Sequence, residues 1–106
     1  MEGDWAEVMR ERVQQLRLSL LNLLAREAES SGDVDSMLSY LEQAIQADPY
    51  DEERYVRGAR ALASLGRARP ALRLVERACL MLAELRVRPG GELTALRGQL
   101  TPDGIT

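Results

Sequence analysis

The chain has 106 residues, 45% apolar and 29% charged, with a formal net charge of −3, no histidine and a single cysteine, Cys79. That length suffices for one domain with one continuous core, while a lone cysteine excludes an internal disulfide and the missing histidines leave no usual zinc or copper ligand set. No run approaches 18 apolar residues and the acidic start Met1-Glu2-Gly3-Asp4 is unlike a secretory leader, so a cytoplasmic protein with no membrane contact and no cofactor is expected.

The first long segment, Trp5 to Glu29, places Trp5, Met9, Val13, Leu16, Leu20, Leu23 and Leu24 at spacings of three and four, which predicts an amphipathic helix with that face turned inward. Ser30-Ser31-Gly32 supplies the stop, because glycine accepts the left-handed turn without steric penalty. Asp33 is placed to cap a second helix whose Val34, Leu38, Leu41 and Ile45 face inward, and Asp48-Pro49 ends it. Asp51, Glu52 and Glu53 form a cap and an acidic first turn for a third helix that runs to about Leu65. Its interior Gly58 predicts close approach of a neighbouring helix. Gly66 closes that helix. Pro70 is tolerable only in the first turn of a fourth, which therefore begins near Ala68 or Arg69 and runs to about Leu85. After Arg88-Pro89-Gly90-Gly91, a short fifth helix from Glu92 to Leu100 carries Leu93, Leu96 and Leu100, and residues 101–106 are expected to fray. No segment alternates with a period of two, so no sheet is expected.

Gly32 and Gly66 stand 34 residues apart, and the segments after them run in parallel: Leu38 recurs as Leu72, Leu41 as Val75, Glu42 as Glu76, Ala44 as Ala78 and Ile45 as Cys79. A repeat of that length reads as paired antiparallel helices of the tetratricopeptide kind. The expected fold is therefore all-α, a tetratricopeptide-like stack of about five helices. Such a stack is a platform for binding.

Charge is unevenly spread. Residues 1–53 hold 13 acids and 4 arginines, whereas residues 54–106 hold 10 arginines and 4 acids. Three readings are open: local neutralisation between acidic and basic helices, a docking surface for a charged partner, and direct contact with nucleic acid, which the overall acidity disfavours.

Asp4-Trp5 opening a long helix, Arg10-Glu11-Arg12, Gly32-Asp33, Asp48-Pro49 followed by Glu52-Glu53, then Gly66, Ala71-Leu72, Glu76-Arg77, Ala83-Glu84-Leu85 and Pro89 together resemble the bacterial transcriptional activation domain. The resemblance covers residues 4–100. It implies a helical module of antibiotic-regulatory-protein-class activators, associated with dimer formation and with contacts that help to activate transcription, and reaching DNA only through a separate DNA-binding domain. The chain departs from that pattern at Arg86, where the family often has glycine, at Pro89-Gly90-Gly91, where it often has Pro-Ser-Pro, and at Val75, where an aromatic residue is common.

Arg54, Arg57 and Arg60 recur every three residues as a slanted stripe on the third helix, with Arg67 and Arg69 in the turn beyond. They read either as a solvated face paired with Asp51 to Glu53 or as a surface for an acidic partner, such as the transcription machinery or a second copy. Trp5 reads either as a core residue or as an anchor for an upstream domain or another chain. Cys79 is expected to be buried and inert, and Tyr40, Tyr50 and Tyr55 to fill gaps with their hydroxyls reaching water. No histidine is available to act as a base beside a serine or cysteine, and no glycine-rich phosphate loop is present, so no enzyme is expected. The expected function is a non-catalytic protein-protein interaction and dimerisation module of a bacterial transcriptional regulator, with RNA polymerase or a second copy as partner and a homodimer as one assembly. The alternative is a free-standing tetratricopeptide-like adaptor for a peptide or protein.

Overall fold

The computed structural model describes residues 2–101, with side chains from Asp4 onward. The expected fraying of 102–106 lies outside the described residues. Five helices follow in chain order: α1 (Glu2–Ser31), α2 (Val34–Ala47), α3 (Glu52–Ser64), α4 (Ala68–Glu84) and α5 (Gly91–Leu100). Among the described residues there is no strand, and the architecture is all-α and tetratricopeptide-like. The chain divides into two compact units, Met1–Ala47 and Asp48–Thr106.

In the first unit α1 and α2 form an antiparallel hairpin. Gly32 takes φ +80°, so the Asp33 N–H folds back to the Ala28 carbonyl at 2.8 Å and closes the helix end. Asp33 then caps α2 by accepting from the Ser36 N–H at 3.1 Å, which leaves its carboxyl below the ordinary aspartate value, chiefly through bonding to the Ser36 side chain and then to the backbone. At the other end Gln14 donates to the Ala47 carbonyl at 3.1 Å. Leu18, Leu21 and Ala44 pack together, with Tyr40 and Ala47 against them.

In the second unit the device recurs. Gly66 takes φ +77°, and the Arg67 N–H reaches the Leu62 carbonyl at 2.9 Å. Asp51 caps α3 by accepting from the Glu53 N–H at 3.1 Å. Pro70 falls in the first turn of α4 as expected, where its missing N–H deprives the helix of nothing. A third turn of the same type ends α4, but the residue in the left-handed region is Arg86, at φ 58°, with the Val87 N–H on the Leu82 carbonyl. The departure noted at this position is thus a side chain held where glycine is cheapest. α5 packs on both α3 and α4 and buries Leu93 and Leu96. Glu52 of α3 accepts from the Gly90 N–H at 2.8 Å, and Arg60 of α3 pairs with Glu92 of α5.

The repeat is carried into burial. Met37 and Ala71, Leu41 and Val75, and Ala44 and Ala78 are buried in register, while Leu38 and Leu72 are both half-buried. The first helices obey the same shift: Leu21 and Tyr55, Ala25 and Ala59, and Ala28 and Leu62 are all buried.

Candidate interaction surfaces

The apolar face expected to turn inward on α1 faces solvent. Trp5 is 69% exposed and Leu16 70%, and Val8, Met9, Val13, Leu20 and Leu23 are exposed with them. The inward stripe is instead Leu18, Leu21, Ala25 and Ala28. At about 100° per residue the two stripes fall on nearly opposite sides of the helix. Counting large apolar residues selects the wrong side because the true core face is half alanine, whose small side chain suits the close approach of α2 but adds little to a hydrophobicity sum. The 34-residue shift from Tyr55, Ala59 and Leu62 was the signal that could have found it.

The arginine stripe does not form one surface. Arg54 is 6% exposed: its Nη1 donates to the Asp48 carbonyl at 2.7 Å, and its guanidinium lies 3.4 Å from the Asp48 carboxylate and 3.7 Å from that of Asp51. Its Nε is buried without a hydrogen-bond partner. It holds the chain entering α3 and is not accessible to a partner. The expected pairing with the acidic cap is present at Arg54, through Asp51, but Arg60 turns to Glu92 instead. Arg57 is half-buried, Arg60 and Arg67 are exposed, and Arg67 occupies the start of α4. Arg57 and Arg60, with Glu52, Glu53, Val56, Gly90, Gly91 and Glu92, line a shallow hollow where α3 meets the start of α5.

Two smaller expectations are corrected. The Tyr55 hydroxyl is not in water; the ring is buried, its O–H donates to the Pro49 carbonyl at 2.8 Å, and the Arg77 guanidinium lies 5.9 Å from the ring centroid. Tyr50 is exposed, and Tyr40 is half-buried against the Leu18, Leu21 and Ala44 cluster. Cys79 is half-buried rather than fully enclosed, whereas Ala78 beside it is sealed. Gly58 is buried, the condition its expected role requires.

Among the described residues no group of three or more acids and cysteines is placed to hold a metal ion, and no helix is long and apolar enough to cross a membrane. What the surface offers is an exposed apolar stripe on α1 and a mixed-charge hollow on α3 and α5. No curated protein matches the chain. A family model, the bacterial transcriptional activator domain, matches residues 1–101, in agreement with the residues that carry the resemblance, and the chain belongs to that family.

Proposed function

We propose that the chain is a non-catalytic protein-protein interaction module of a cytoplasmic bacterial transcriptional regulator. The observation that carries this reading is the exposed stripe from Trp5 to Leu23: seven large apolar side chains on one helix lie in water, far more than scattered surface hydrophobics explain. Membership of an activator-domain family supplies the setting. A module of this kind acts by holding a protein near a promoter, with DNA read by a separate domain.

Tethering the chain to an unrelated DNA-binding domain upstream of a reporter gene tests the reading. A several-fold rise in transcription over the DNA-binding domain alone is expected. A double substitution, Leu16→Glu with Leu20→Glu, should return the signal to baseline while circular dichroism shows the helices intact. No rise with the parent chain, or an undiminished rise with the folded variant, would overturn the assignment of function to this stripe.

A further inference from the structure

The exposed stripe of α1 has a finer pattern than its hydrophobicity. The half-buried Ala6 and the exposed Met9, Val13, Leu16, Leu20 and Leu23 follow one another at spacings of 3, 4, 3, 4 and 3, the seam of a coiled coil sustained over about two and a half heptads. Glu27 stands at the next seam position and ends it. All four arginines of the acidic half of the chain, Arg10, Arg12, Arg17 and Arg26, fall at the positions that flank this seam. Each is exposed, and among the described residues none of them has an ion-pair partner. The acids of the same stretch, Asp4, Glu7 and Glu11, lie on the other side of the helix.

Flanking charges choose the partner of such a seam. A second α1 laid parallel sets Arg12 against the partner's Arg17, and laid antiparallel it sets the flanks of each helix against their own kind; both arrangements oppose arginine with arginine. A membrane surface is a poorer fit as well. Adsorbed helices present a basic polar face, whereas the far side of this one carries Asp4, Glu7 and Glu11.

We propose that α1 receives an amphipathic helix of another protein, one whose apolar seam is bordered by glutamate or aspartate. This rests on the reading of the chain as an interaction module and names the chemistry of its partner. The apolar positions interlock while the acidic borders neutralise Arg10, Arg12, Arg17 and Arg26, so affinity comes from the seam and selectivity from its edges.

Trp5, the only tryptophan, flanks the first turns of the seam and reports occupancy by its fluorescence. Two synthetic helical peptides with the same leucine seam, one bordered by glutamate and the other by lysine, would be titrated into the full chain. The glutamate peptide should bind saturably with a blue shift of Trp5, at least tenfold tighter than the lysine peptide. A double variant, Arg12→Glu with Arg17→Glu, should reverse that order while retaining its helix content. Equal binding of both peptides, binding of neither, saturable binding to phosphatidylglycerol vesicles in preference to the glutamate peptide, or a dimer in sedimentation that Leu16→Glu dissolves would each overturn the proposal. A failure here beside a positive promoter-tethering result would remove only the acidic helix as partner, leaving the interaction module itself in place.

Discussion

The two hairpins share a template, yet their first helices differ by 17 residues in length, 30 in α1 against 13 in α3. Shifted by 34, α3 corresponds to the last part of α1. The stretch before it has no equivalent, because the second hairpin is preceded by Asp48-Pro49 and the Asp51 cap, whereas Gln14-Gln15-Leu16-Arg17 offers neither proline nor cap and the helix runs on. The consequence shows at one equivalent pair. Leu20 is exposed on α1, while Arg54 at the same place on α3 is buried under the returning segment Asp48 to Asp51, whose carbonyl and carboxylates it binds. One edge of the template is closed by the chain's own turn and carries a cation; the other is left open and carries leucine. A repeat thus leaves an apolar face open to solvent where its closing turn is replaced by continuous helix.

The sharpest way to break this comparison uses neighbours in sequence. Leu21→Ala removes a side chain from the hairpin core and should cost about 2–4 kcal/mol, whereas Leu20→Ala trims an exposed one and should change stability by less than about 0.5 kcal/mol. Urea unfolding followed by circular dichroism measures both. Equal losses would deny the division of α1 into an inner and an outer face, and a larger loss at Leu20 would mean that the two faces are exchanged.

At the equivalent site on α3 the expected effect is somewhat smaller. Arg54→Ala leaves the Asp48 carbonyl and two half-exposed carboxylates without their cation, at a cost of about 1–3 kcal/mol. Arg60→Ala removes only an exposed ion pair with Glu92 and should stay within about 0.5 kcal/mol. A comparable loss at both positions would deny Arg54 its role in closing the template.

These contrasts also mark how far sequence reasoning reaches. The helix ends were legible because Gly32, Gly66, Pro49 and Pro70 act on the backbone locally, and each is where its chemistry requires. Much of the inner face of α2 was legible because Leu41 and Ile45 lie on one side of it, and the 34-residue shift carried that face to Val75 and Ala78 on α4. α1 was misread because it carries two apolar faces, and the one that packs relies on Ala25 and Ala28, which no count of large residues rewards. The arginine stripe was misread for a different reason: a three-residue spacing gives position around a helix, but burial of Arg54 depends on a turn folding over it.

The end of α4 sharpens the comparison of turns. Gly32 and Gly66 hold the left-handed position at the ends of α1 and α3, and Arg86 holds it after α4. The Cβ strain there should be relieved by Arg86→Gly, offset in part by the greater freedom of glycine in the unfolded chain, for a net gain of about 1 kcal/mol. A loss of stability instead would show that the arginine side chain contributes more than its backbone costs.

The smallest effect concerns the starts of α2 and α4, which the 34-residue shift pairs as Asp33 and Arg67. Asp33 accepts from the N–H three residues on, at Ser36; at the matching place after Arg67 stands Pro70, which has no N–H to offer, so the second hairpin forgoes the side-chain cap. The carboxyl of Asp33 is held below its ordinary value by the Ser36 side chain first and its backbone N–H second. Its contribution is therefore present above the unfolded pKa and fades as pH falls through the lower folded one, in the region below about pH 4. Asp33→Asn keeps a neutral oxygen acceptor and removes the titration. Urea midpoints at pH 6 and pH 3 should consequently fall further on acidification in the parent chain than in Asp33→Asn, with the difference read at α2 amides by hydrogen exchange and absent at α4. The same acid response in both proteins, or a response centred on α4, would mean that the charge on Asp33 has no part in starting α2.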